Sequence, residues 1–336
     1  MFQLFHSIFG REEKHGRYPE SLIEAAIERT VDSTDPRIRV LPGYRKLLRA
    51  PVLHAIDHVS SLIDNIPPAL PADRNHYNDS THLSMMFASV RHMQEVFIQD
   101  DALNQLRDSP PENFGQQVVA LLLVKLDEKK IMGMDIVGDM LRRDIAQVAV
   151  NFSIPRLVDP AAVEEETRRQ LKRRAFDYLL SLALSRISEV QHERTHLDHQ
   201  RDLLRRKLRT LKYGGWDFDG LNQNNPAPAE LQAELDRIEK ELAAIGANDN
   251  LLRTHLDLTS EVLANAEQHF WAEDVLLHLD RMNIQRDPSD KSAREIKLQE
   301  LHDARGRRLV MLLVSIPLDE LPRREDFVTA AKRYLG

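Results

Sequence analysis

The sequence predicts a mainly α-helical protein: a helical N-terminal body, one long antiparallel coiled-coil hairpin, and a small β element formed by segments near 131–157 and 307–316. Three observations carry that prediction. Leu231, Leu235, Ile238, Leu242, Ile245, Asp249, Leu252, Leu256, Thr259, Leu263, Ala266 and Phe270 follow one another at alternating steps of four and three, the spacing of a coiled-coil seam. Upstream, Ile187, Arg194, Arg201 and Leu208 occupy one heptad position and Val190, Leu197, Leu204 and Leu211 the other. Between the two runs, Tyr213 to Gly220 holds three glycines before an Asn- and Pro-containing stretch, which is turn chemistry.

Charge agrees with arms that fold back on each other. Residues 161–212 hold 13 Arg and Lys against 8 Asp and Glu, a balance of +5, whereas 229–282 hold 4 against 12, a balance of -8. Folding about residue 220 brings Arg194 level with Asp249, so a polar layer between these two is expected, with a bend near Gly246. The base of each arm, Phe176 to Ile187 and Phe270 to Leu279, is more broadly apolar and joins the body.

The remaining elements follow in chain order. Pro51 opens a helix with Val52, Ile56, Val59 and Ile63 at helical spacing, closed by Pro67, Pro68 and Pro71. A second helix is expected from Thr81 to Leu106, with Leu83, Phe87, Val90, Met93 and Phe97 inward. The apolar run Val118 to Leu126 fits helix or buried strand by its length, and helix is favoured. Gln147 to Ile154 alternates apolar and polar residues, and Arg308 to Ile316 is β-branched and apolar, so both are expected as strands of one sheet. Each ends in Ser-Ile-Pro. The expected divisions are a helical N-terminal region at 1–112, a small α/β body from 113–158 with 284–336, and the inserted hairpin at 159–283 with its tip loop at 213–228.

Composition narrows the chemistry. The 336 residues carry a formal net charge of -7 and no cysteine. Disulfides, thiolate metal sites and cysteine nucleophiles are therefore excluded, and the acidic balance argues against nucleic acid as a partner of the whole surface. No apolar stretch reaches membrane-spanning length, and the N-terminus lacks a basic signal-peptide region, so a cytoplasmic location is expected. Phe2, Phe5 and Phe9 with Leu4 and Ile8 are expected to cover part of the protein's own core, with a partner or membrane surface as the alternative.

One motif resembles catalysis. His192-Glu193-Arg194-Thr195-His196 satisfies H-E-x-x-H, a helical pair of zinc ligands with a glutamate to activate water. The heptad register, however, puts His192 and His199 at f and His196 at c, on the solvent face. A solvated histidine stripe is the simpler reading, with His192, His196 and His199 kept as metal candidates. The sets His54, Asp57, His58 and Asp73, His76, Asp79, His82 have ligand-like spacing, but nothing in the sequence brings either together. Phosphate-loop, dinucleotide and G-x-S-x-G motifs are absent. Two basic clusters, Arg168 to Arg174 and Arg205 to Lys212, are expected to pair with Glu164 to Glu166 and with the acidic second arm.

Tyr213, Trp216 and Phe218 gather in the tip turn, where aromatics anchor protein partners. The functional expectation is a non-enzymatic adaptor or scaffold that presents the hairpin to a protein partner, with no cofactor, and with self-association left open. The alternatives are a metal-dependent hydrolase using the 192–196 segment, or peripheral membrane or nucleic-acid association through the N-terminal aromatics and basic clusters.

Overall fold

The computed structural model describes residues 18–108, 115–137, 140–213, 228–245, 248–290 and 292–322. Its elements run α1 (Glu20–Ser33), a 3-10 turn (Pro36–Val40), α2 (Tyr44–Asp64), β1 (Leu70–Pro71), α3 (Thr81–Met86), α4 (Val90–Phe97) and α5 (Asp101–Asp108). They continue with β2 (Gln117–Val137), β3 (Met140–Ala161), α6 (Glu164–Tyr213), α7 (Pro228–Ile245), α8 (Asn248–Ala264), α9 (Ala266–His269), β4 (Phe270–Leu279), β5 (Arg294–Asp303) and β6 (Arg308–Pro317).

This corrects the expected fold class. The protein is 54% helical, but it also carries a large curled antiparallel sheet, a half-barrel rather than a small β element. The strand order is β3-β2-β6-β5-β4, with β1 added in parallel to β6 at Leu70↔Val314. The chain divides into a helical unit, Met1–Asp57 with Phe176–Ala266, and a sheet unit, His58–Ala175 with Glu267–Gly336.

Three local corrections follow, each with its own cause. The run Val118 to Leu126, expected as helix, lies in strand β2, which is flanked by β3 and β6. All seven residues from Val118 to Val124 are buried, because a strand covered on both faces needs apolar residues at every position. The segment Phe270 to Leu279, expected as the base of a helical arm, is strand β4. The single helix expected from Thr81 to Leu106 is three short ones. Ser80 and Ser89 accept from Leu83 N and His92 N, capping α3 and α4, and Asp100 Oδ1 accepts from Leu103 N in the first turn of α5.

In the sheet unit, Val118, Ala120, Leu122 and Val124 of β2 and Val310, Leu312, Val314 and Ile316 of β6 form one core with Leu83, Phe87, Met93 and Phe97 of the short helices. The two strands that were expected in one sheet do share it, separated by β2. The start of α6 is tied to this sheet. The Thr167 hydroxyl donates to Val119 O at 2.8 Å, and the Arg168 guanidinium donates to Ile63 O and Ile66 O, satisfying carbonyls at the C-terminal end of α2.

Strands β2 and β3 are 21 and 22 residues long, against 10 for each of β4, β5 and β6. Pairing with β6 stops at Lys125↔Leu309, while β2 and β3 remain paired to Val137↔Met140. The ribbon therefore runs about 40 Å past the last β6 partner, at ~3.3 Å per residue. The β4–β5 connection clasps β3 across the curl: Val150 N donates to Asn283 O and Gln285 N to Val148 O, each at 2.8 Å. Gly133 belongs to the ribbon because the Gln147 side chain on β3 occupies the space that a Cβ would need.

The β2–β3 register shifts three times, between Val119 and Leu121, Leu123 and Lys125, and Gly133 and Asp135. Each time β3 advances three residues to β2's two. The extra residues coincide with the three positive-φ positions on β3: Asp159 (50°), Ile154 (51°) and Asp144 (59°). These are bulges. Arg174 secures one of them, its Nε donating to Asp159 Oδ2 at 2.8 Å. Ile154 is β-branched and 72% exposed, so its side chain gains little there and its backbone is strained. Ile154→Gly should stabilise the protein by about 1 kcal/mol, relief of strain exceeding the extra chain entropy of glycine. Leu122→Ala should destabilise it by about 2–5 kcal/mol. Urea unfolding measures both, and a loss of stability in the glycine variant would refute the strained-bulge account.

Candidate functional site

In the helical unit, contacts between the arms establish their antiparallel pairing. Arg186 reaches Glu261 at 3.4 Å, Gln191 Nε2 lies 3.5 Å from His255 Nε2, and Arg205 reaches Glu239 at 2.7 Å. Leu208, Leu231 and Leu235 form a small cluster with Leu204 packed against it. Ile187, Leu197, Leu256, Thr259 and Leu263 are also buried. Of the first basic cluster, Arg168 pairs with Glu164 and Arg169 with Glu166 as expected, whereas Lys172 pairs with Asp64 and Arg174 with Asp159.

Of the aromatic tip, Trp216 and Phe218 lie outside the described residues; Tyr213 ends α6, its side chain also outside them. The expected Arg194 to Asp249 layer is likewise undetermined, since the Asp249 side chain and Gly246 fall outside the description. Arg194 itself is half-buried, with Nε 3.8 Å from Asp198 Oδ2. Its Nη1 is buried without a hydrogen bond among the described residues. His192, Glu193, His196 and His199 are exposed on α6. Among the described residues, no three His, Asp or Glu side chains are grouped to hold a metal ion. The other histidine sets are dispersed: Asp57 accepts from the Tyr18 hydroxyl, His58 Nε2 meets Phe270 O, His76 pairs with Asp73, and His82 Nε2 meets Lys297 O.

A buried polar junction that the sequence did not single out lies beside the arms. Asp35 caps the 3-10 turn by accepting from Arg37 N, and its Oδ2 lies 2.7 Å from His255 Nδ1. An ionised carboxylate only accepts, so Nδ1 carries the proton and Nε2 faces the Gln191 amide. His255 is fully buried, and its carbonyl accepts from the Thr259 hydroxyl. Burial alone would raise the Asp35 pKa, but hydrogen bonds from Arg37 and His255 outweigh it and bring it down from 3.8 to about 2. The stabilisation this provides is complete above the unfolded value of 3.8 and is lost as pH falls through about 2. Helical signal followed from pH 5 to pH 2 should therefore fall less steeply in Asp35→Asn than in the native protein, and equal slopes would remove Asp35 from the acid transition.

The richest constellation of side chains lies on the sheet, at the end of the face that carries the apolar core. Registers Trp271↔His302 and His302↔Arg308 set three side chains in one row across β4, β5 and β6, and Glu273↔Glu300 forms the neighbouring row. Trp271 and His302 stack at 5.6 Å with ring planes 9° apart. Glu300, 1% exposed, accepts from Arg308 Nε at 2.9 Å and Nη2 at 3.1 Å. That contact raises the Arg308 pKa and keeps the guanidinium charged. His302 Nε2 stands 3.2 Å from Glu300 Oε2 and 4.0 Å from Glu273 Oε2, while Glu273 Oε1 accepts from the Trp271 indole.

Chemically, the row holds one imidazole between two carboxylates, with an indole platform beside it. Its buried carboxylate is fully engaged by Arg308, which makes the Arg308–Glu300 pair structural first. Helix was expected over Phe270 to Leu279, which would separate Trp271 from Glu273; a strand puts alternate residues on one face. The alternation Ile296, Leu298, Glu300, His302 was the signal that could have found the row. Arg308→Ala should cost about 2–3 kcal/mol in urea unfolding, below the ~3–5 expected of a fully buried pair because Arg308 is 39% exposed. Adding Glu300→Met should recover part of that loss, and an additive double variant would refute the pairing.

Comparison of the chain with protein-family models, curated proteins and solved structures finds no match. Among the described residues, no helix is long and apolar enough to cross a membrane.

Proposed function

We propose that the protein is a non-enzymatic adaptor that uses its helical hairpin to engage a protein partner at the aromatic tip, residues 213–228. The observation that carries this reading is the pairing of α6 with α7 and α8 through their own contacts. Arg205–Glu239 and the small Leu204, Leu208, Leu231, Leu235 cluster lie toward the tip, and Gln191–His255 lies further back along the arms. A two-helix seam of this kind buries little apolar surface for each residue it orders, so the arms are better accounted for by reach than by stability. Helix α6 is 50 residues long, about 75 Å at ~1.5 Å per residue. The exposed placement of His192, Glu193 and His196 adds no cleft in which a water could be activated.

The test is co-purification from the native host, comparing the intact protein with a form in which residues 213–228 are replaced by a short glycine-containing turn. A stoichiometric partner is expected with the intact protein and not with the shortened form. A partner kept equally by both forms moves the contact away from the tip, and no partner with either removes the adaptor reading.

A further inference from the structure

The connection between β4 and β5 is held rigidly from within. Asp280 Oδ1 accepts from Met282 N and Ile284 N, and Oδ2 accepts from Arg286 Nε at 2.9 Å. Asn283 adopts φ 57°, and its amide donates to Met85 O at 3.0 Å. With the main-chain bonds to Val148 and Val150, the turn from Asp280 to Gln285 is fixed on both sides. Beside it lies a depression of about 460 Å³ lined by Asp280, Arg281, Met282, Ser292, Ala293 and Arg294.

The charge in this depression is unbalanced. Among the described lining residues Asp280 is the one carboxylate, and it is paired with Arg286 at 2.9 Å. The carboxylates of the adjoining loop are held outside the lining by serine hydroxyls, Asp287 accepting from Ser289 and Asp290 from Ser292, and both stay charged. Glu295 faces His278 at 3.5 Å. Arg281 and Arg294 are both exposed, and neither has an ion pair or hydrogen bond among the described residues. Arg294 pairs with Leu279 across the sheet, two residues before Arg281, so both arginines that line the depression belong to the same strand end.

We infer that this depression binds a phosphate monoester, with Arg281 and Arg294 gripping the phosphoryl oxygens and Met282 covering the apolar substituent. Two guanidinium forks match the three oxygens of a phosphoryl group, whereas a carboxylate fills only one fork. Met282 is 78% exposed at the rim, which favours an organic phosphate over the inorganic ion.

Calorimetric titration of the full chain with phenyl phosphate, at constant ionic strength, tests this. Saturable binding is expected, tighter than for inorganic phosphate. Arg281→Ala and Arg294→Ala should each weaken it about tenfold, the loss of a charge-assisted hydrogen-bonded pair. Met282→Ala should bring phenyl phosphate and inorganic phosphate to the same affinity. Both arginines are exposed and unpaired, so the variants should unfold as the native protein does, and urea unfolding checks this. Absence of saturable binding, binding unchanged in the double arginine variant, or equal displacement by chloride would each overturn the inference. Because the probe is a small phosphate and the variants lie outside residues 213–228, the result is independent of the adaptor reading.

Discussion

The sheet unit depends on the double burial of β2. From Val119 to Lys125 it is paired with β3 on one side and β6 on the other, while Val118 to Val124 bury side chains on both faces. A strand in that position has no face left for solvent, so its residues are uniformly apolar and its neighbours must supply two separate coverings. The short helices α3, α4 and α5 supply one. On the backbone side, Thr167 and Arg168 anchor the first turn of α6 to Val119 and to the end of α2. Strands β4 and β5 then continue the curl from β6, which carries the row of Trp271, His302 and Arg308 to its edge.

What was legible in the sequence follows from how each element is buried. The helical arms were readable because only one narrow stripe of each is covered, and a covered stripe on a solvated helix leaves a periodic trace. Leu231, Leu235, Ile238, Leu256, Thr259 and Leu263 are all buried, at the positions their spacing indicates. Strand β2 was unreadable for the converse reason: with both faces covered it has no polar phase, and Val118 to Leu126 carries no period to distinguish strand from helix. Strand β4 was hidden by continuity, since the heptad series reaches Phe270, the residue at which helix gives way to strand.

The two Ser-Ile-Pro segments show how far local sequence falls short. Ile316 is completely buried in the core of the sheet unit, whereas Ile154 is 72% exposed and sits on a bulge. The same three residues meet opposite environments because one strand is flanked by β2 and β1 or β5 and the other lies at the end of the sheet. The candidate sites behave alike. The Asp35–His255 junction joins residues 220 positions apart, and the Glu300–Arg308 pair depends on a strand register, so neither leaves a motif in the linear sequence.

The bulges on β3 have a consequence for the protein in concentrated solution. As the terminal strand of the sheet, 22 residues long, β3 would otherwise offer amides and carbonyls to any extended chain on either side of the Val148 to Val150 stretch that the β4–β5 connection covers, a template on which cross-β aggregates grow. Extra residues at Asp144, Ile154 and Asp159 break that edge into short lengths, and Pro155 removes a donor next to the middle one. No incoming strand can keep register across three such interruptions. The backbone strain at Ile154 thus acts as a safeguard, trading some stability of the folded chain for resistance to polymerisation along its longest edge.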